Sequence, residues 1–91
     1  MDFEWDVQKA EANFKKHGVR FSEACPVFED DYAITITDDG SDPLADRFVS
    51  IGTGAKERML VVVYCFRGKN IRIISARLAE ADERRQYDED R

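Results

Sequence analysis

The sequence predicts an α+β fold: a small antiparallel sheet of about four strands, with two N-terminal helices and one C-terminal helix packed on it. Three observations predict it. Residues 6–28 hold their apolar side chains at helical spacing, residues 32–76 switch to alternating or continuous β-branched runs, and residues 78–88 return to a helical pattern with acids first. No repeat, linker or low-complexity tract divides the 91 residues, so residues 1–91 read as a single domain.

Asp6 suits the N-cap of a helix over about Val7 to Lys16, with Val7, Ala10 and Phe14 on one face. Gly18 fits the left-handed position that ends it, and Lys15, Lys16 and His17 lie where positive charge complements the helix dipole. Ser22 is placed to cap a second helix running to about Phe28, with Phe21 turned inward and Pro26 tightening an early turn. Tyr32 to Thr37 and Arg47 to Gly52 read as extended. Arg58 to Phe66 is almost wholly apolar, the mark of a central strand covered on both faces. Arg67-Gly68-Lys69-Asn70 is hairpin-turn chemistry, and Asn70 to Ala76 is the returning strand. Leu78 to about Asp88 is the last helix, with Glu80 and Arg84 spaced for an ion pair. The leading FEW segment can add a short edge strand.

The longest apolar run, MLVVVYCF at 59–66, is strand-sized and too short to span a membrane. MDFEWD lacks the basic-then-apolar order of a secretion signal, so a cytoplasmic location is expected, with Cys25 and Cys65 as reduced, buried thiols. Net charge is −5, which at first argues against a polyanionic partner. The charge is segregated, however. Residues 29–46 hold seven acids and no base, leaving the remainder at +2, and residues 66–77 hold four bases and no acid.

One histidine and two separated cysteines give no zinc spacing, and the acidic loop lacks the ligand rhythm of a calcium site. No metal centre or cofactor is therefore expected. Asp38, Asp39 and Asp42 are read as solvated loop acids. Phosphate-loop, dinucleotide and nucleophile-elbow motifs are absent. What remains is a basic, titratable set. Alternation in NIRIISAR turns Ile71, Ile73 and Ser75 one way and Arg72, Ile74 and Ala76 the other. Arg77 falls at the strand–helix junction, and Glu83, Arg84 and Tyr87 follow on the helix. Guanidiniums on a rigid sheet suit phosphate, since they grip two oxygens in fixed geometry and keep their charge. Each arginine alone reads first as half of a surface ion pair, and only the set gathered around one sheet points to phosphate. His17 reads either as a helix-end cation or as a proton-transfer group, and Tyr87 either as core or as an acid/base residue.

FEWD (3–6), NFKKHGVRF (13–21), the EA-x-x-VF pattern (23–28), VVVY (61–64), IRIISAR (71–77) and ERRQY (83–87) together resemble the BrnT family, toxins of BrnT–BrnA type II toxin–antitoxin modules. The resemblance spans nearly the whole chain. It implies a RelE-like fold, ribonuclease activity that arrests translation, and neutralisation by a BrnA-like ribbon-helix-helix antitoxin whose complex binds promoter DNA. By motif it carries over Lys16 and His17 (KHG), Arg72, Ser75 and Arg77 (RIISAR), Glu83, Arg84 and Tyr87 (ERR-x-Y) and the arginine after the acidic loop, Arg47. Of these His17, Arg72, Arg77, Glu83 and Tyr87 are the catalytic candidates, and Lys16, Arg47 and Arg84, with Lys69 of the basic segment, the RNA-binding ones. Pro26 and the long acidic segment 29–46 depart from the family pattern. A metal-free ribonuclease drives the RNA 2′-hydroxyl onto the adjacent phosphate, so it needs alignment, proton transfer and charge stabilisation. Arg72 and Arg77 are expected to supply the last and Arg47 to position backbone. His17, Glu83 and Tyr87 are unranked for proton transfer. A structural duty for Ser75 and Glu83, the latter paired with Arg77, is the alternative, as is a non-catalytic antitoxin-binding co-repressor subunit.

Overall fold

The computed structural model describes residues 2–38 and 47–90. In chain order these form β1 (Phe3–Glu4), α1 (Val7–His17), α2 (Phe21–Ala24) continuing into a 3₁₀ turn (Cys25–Glu29), β2 (Ile34–Asp38) and β3 (Arg47–Thr53). After a second 3₁₀ turn (Ala55–Glu57) come β4 (Met59–Arg67), β5 (Asn70–Leu78) and α3 (Ala81–Glu89). The sheet has five strands in the order β1-β5-β4-β3-β2, with β1 parallel to β5 and every other pair antiparallel. This corrects the expected four-stranded antiparallel sheet. The leading FE is a true strand, registered beside Ile71 and Arg72, and it makes the sheet mixed.

Local signals set the helix ends. Asp6 Oδ1 accepts from the backbone N–H groups of Gln8 and Lys9, and Gly18 at φ 70° closes α1 by donating to Phe14 O. The expected apolar face of α1 is only partly covered: Ala10 packs against the core, but Val7 is 68% and Phe14 39% exposed. Its buried inward residue is instead Asn13. The Asn13 amide donates to Val19 O and Ala76 O, at 3.0 and 2.8 Å, and accepts from Ala76 N–H at 3.2 Å. β1 pairs β5 only at Ile71 and Arg72, so one side chain serves Ala76 further along the same strand, where a neighbouring strand would otherwise be needed.

The second helix also departs from expectation. Ser22 is not its cap; Arg20 is, and its backbone N–H donates to the Glu23 carboxylate at 2.9 Å. Pro26 then lies in the 3₁₀ turn, where its missing N–H disturbs little. Val19, Phe21, Ala24 and Val27 reach from this segment to Leu60, Val62, Tyr64, Ile71, Ile73 and Ala76, forming the main core. Each large side chain so buried contributes about 1.5–3 kcal/mol.

The other face of the sheet carries α3. Ile51, Val61 and Tyr87 make a second, smaller core there, with Ile34, Val49, Met59 and Ala79 against it. α3 begins at Ala81 rather than Leu78, which is the last residue of β5. Glu80 is therefore the extended N-cap residue, off the helical face, and the expected Glu80–Arg84 ion pair does not form. Cys25 and Cys65 are free thiols, partly rather than fully buried. No described helix is long and apolar enough to cross a membrane.

Candidate nucleic-acid interface

A bulge decides which way the RIISAR side chains point. β4 and β5 are in register from Arg67↔Asn70 to Tyr64↔Ile73, then resume at Val63↔Ser75, leaving Ile74 as the extra residue. Simple alternation puts Ser75 with Ile71 and Ile73. Across the bulge the parity inverts, so Ala76 joins Ile71 and Ile73 in the main core. Arg72, Ser75 and Arg77, opposite Cys65, Val63 and Val61, share the α3 side. Glu4, opposite Arg72, is on that side too, as are Arg67 on β4 and Arg47 on β3, the latter across from Asp38.

α3 covers only part of this face. Its core contacts are with the Ile51–Val61 end, whereas Val63, Cys65, Ile74 and Ser75 remain half-exposed and Arg47 and Arg67 exposed. The uncovered portion is thus a shallow apolar strip with guanidiniums along it. Arg72 donates to Glu4 at 2.9 Å, and Asn70 donates to the other Glu4 oxygen at 3.3 Å. With side chains 28% and 32% exposed, the Arg72–Glu4 pair is screened by water and contributes at most about 1 kcal/mol. The sequence presents Arg67 only as part of the hairpin turn and its basic segment; its register opposite Asn70 puts it on this face.

Arg77 is differently placed. Both its terminal nitrogens engage Glu83, at 2.8 and 2.7 Å, and it also donates to Leu78 O. Glu83 in turn accepts from the Glu80 N–H at 2.8 Å, so the pair fastens the start of α3 to the end of β5. Hydrogen bonding from Arg77 outweighs burial and holds the Glu83 carboxyl below the usual carboxylate range, while Glu83 pushes the Arg77 guanidinium up. Glu80, Asp82 and Glu83 bring three carboxylates together at this helix start, where the dipole favours negative charge.

Tyr87 is 4% exposed, and its hydroxyl donates to Asp30 Oδ2 at 2.7 Å. The same oxygen accepts from Thr53 N–H at 2.9 Å, and Oδ1 accepts from Tyr32 N–H at 3.0 Å. Asp30 thus ties the 3₁₀ turn, β3 and α3 together. In sequence it is indistinguishable from the other acids of its run. Burial pushes its pKa up, but the donated hydrogen bonds prevail and leave it below the ordinary value. Both Asp30 and Glu83 titrate lower folded than unfolded. Their stabilisation is therefore complete above the ordinary carboxylate pKa of about 4 and is lost as pH falls through the lower folded values. Thermal unfolding is expected to be level from about pH 5 to 7 and to drop below about pH 4, with a shallower drop in Asp30→Asn.

His17 and Lys16 lie at the end of α1, on the layer behind the sheet, so the structure does not bring the imidazole to the Arg72 face. Lys69 is exposed in the β4–β5 turn, beside the open strip, and Arg84 is exposed on α3. The set predicted from sequence therefore divides into three: Arg47, Arg72 and Lys69 around the open strip, Arg77, Glu83, Arg84 and Tyr87 at α3, and Lys16 and His17 behind. The acids Asp39 and Asp42 lie outside the described residues.

A five-stranded mixed sheet with helices behind it, and a half-covered, guanidinium-bearing face in front, defines a small α+β protein with one cationic sheet face left partly open. The family model described as "Ribonuclease toxin, BrnT, of type II toxin-antitoxin system" matches residues 5–83, and the chain belongs to that family. Among solved structures it is similar to the 1.1 Å crystal structure of the Brucella abortus ribonuclease toxin BrnT, at 27% identity and a TM-score of 0.69, over 88% of this chain and 97% of that one. The comparison with curated proteins gives no match.

Proposed function

We propose that the chain is a metal-independent endoribonuclease that arrests translation until a BrnA-like ribbon-helix-helix antitoxin binds it. The same reading covers its RelE-like kinship, its place in the cytoplasm and its access to promoter DNA only through the antitoxin complex. The observation that carries it is the uncovered strip where Arg47, Arg67 and Arg72 converge on one sheet face. Arg72 is its central group: rigidly based on β5, half-buried, and held by one carboxylate that a phosphate can displace. Arg47, Arg67 and Lys69 align the RNA backbone on either side, and Arg84 extends the basic surface at α3. Arg77 acts through Glu83 by fixing the start of α3. The 2′-hydroxyl supplies the nucleophile. Of the three proton-transfer candidates, Glu83 stands at the start of α3 with both oxygens taken by Arg77 and one also by the Glu80 N–H. Tyr87 is buried against Asp30, and His17 lies on the rear layer, so none is singled out.

One observation favours the non-catalytic co-repressor reading instead. Arg72 and Arg77, the two guanidiniums first assigned to charge stabilisation, both already face carboxylates. Incubating the purified chain with RNA in EDTA separates the two. Fragments ending in 2′,3′-cyclic phosphate are the expected result. Intact RNA in EDTA with scission restored by a divalent cation ends the metal-independent mechanism, and intact RNA in both conditions supports the binding subunit.

A further inference from the structure

The open face of α1 meets α2 in a groove of about 280 Å³, walled by Trp5, Val7, Ala10, Phe14 and Phe21. Burying an apolar face is what normally fixes a helix to its protein, yet here Val7 and Phe14 stay in water while Asn13 turns inward. At about 280 Å³ the groove is at the small end of the range for ligand pockets, about 300–1,000 Å³. It suits the anchoring side chains of a docked segment.

The rim specifies the charge of that segment. The Arg20 guanidinium lies 4.1 Å from the centroid of the Phe14 ring, and Lys15 stands beside it. Among the described residues neither cation has a carboxylate partner, although Arg72, Arg77 and Arg58 all do. Glu11 is the one acid in the lining. A molecule of net charge −5 thus keeps a stacked, unpaired guanidinium and an ammonium beside an open apolar groove.

We propose that this groove is the docking site of the antitoxin, and that it takes an acidic amphipathic segment. An apolar side chain of that segment enters between Phe14 and Phe21, and its Asp or Glu residues pair with Arg20 and Lys15. The proposal rests on the toxin–antitoxin reading above. A second copy of this chain is the other occupant such a groove could take, and sedimentation of the chain alone separates the two. Since the groove lies behind the sheet, the antitoxin anchors on the layer opposite the RNA-facing strip and must reach around an edge to obstruct it.

The test uses the full chain and the product of the reading frame adjoining its gene. Phe14→Glu and Arg20→Glu alter exposed side chains, so folding is expected to survive, and thermal unfolding of each variant checks it. Affinity, measured by calorimetry, is expected to fall about tenfold or more in each variant, while RNA scission by the free variants matches that of the unaltered chain. Hydrogen exchange of the complex is expected to show protection over residues 5–22. Affinity unchanged within about twofold in both folded variants, or protection confined to β3–β5, overturns the proposal. So does sedimentation of the chain alone as a dimer that Phe14→Glu dissociates without weakening the partner. If no form cleaves RNA, the ribonuclease reading fails while the affinity and exchange results still decide the groove.

Discussion

Arg72→Ala is expected to lower RNA scission by about two to three orders of magnitude, the usual loss when one fixed donor to a developing anionic charge is removed. Its effect on folding is expected to be small, because the half-exposed Arg72–Glu4 pair contributes little in water. Arg72→Lys is expected to recover little of the rate, since an ammonium cannot reproduce the planar two-oxygen grip. Glu4→Gln gives the sharper contrast. Removing that carboxylate frees Arg72 from its resting partner, so RNA is expected to bind more tightly and the dependence of binding on salt to steepen. A purely structural Arg72–Glu4 pair predicts instead that both substitutions loosen β1 and neither improves RNA binding. Gel-based cleavage and fluorescence titration with a non-cleavable 2′-O-methyl RNA distinguish these outcomes.

The largest effect on stability is expected from Asn13→Ala. Asn13 satisfies both backbone groups of Ala76 and the carbonyl of Val19, and Ala76 and Val19 are both fully buried. Removing the amide strands those groups in the core at a cost of about 2–4 kcal/mol in total. For a chain of this size, that is a fall in melting temperature of about 10–20 °C. Asn13→Asp keeps the shape and the acceptor for Ala76 N–H but sets a carboxylate against two carbonyl oxygens, so it is expected to be at least as damaging. Differential scanning calorimetry of both variants checks this. A loss below about 0.5 kcal/mol in both means that α1 is held by apolar packing alone.

These two residues also show what the sequence could and could not disclose. The span of α1 was legible because its ends are local: Asp6 reaches the N–H groups two and three residues on, and Gly18 sits where a left-handed turn is needed. The β4–β5 hairpin was legible for the same reason. Asn13 was not, since an amide inside a helix reads as solvated surface until β5 is seen behind it. Its burial, with Phe14 exposed and Ala10 still inward, rotates the buried face of α1 away from the one that spacing implies. The strand parity in RIISAR failed at Ile74, where one extra residue turns Ser75 from the core side to the Arg72 side and brings Ala76 inward. Nothing local marks that bulge; it exists only against Val63 and Tyr64. Asp30 shared its signature with the other acids of its run, and its role arises from Thr53 and Tyr87, which are distant in sequence. The candidate site was therefore legible as a list of residue types. Its division between front strip, α3 and rear layer was fixed by contacts no local pattern carries.

RNA is expected to lie along the front of β3–β5 and not behind the sheet. The most direct measurement is a ¹H–¹⁵N chemical-shift titration of the chain with a 2′-O-methyl oligoribonucleotide. Shifts concentrated at Arg67, Arg72 and Ser75 and their strand neighbours are predicted, with residues 7–22 unmoved. Shifts centred on α1 and α2, or uniform weak shifts that vanish at about 150 mM salt, contradict it.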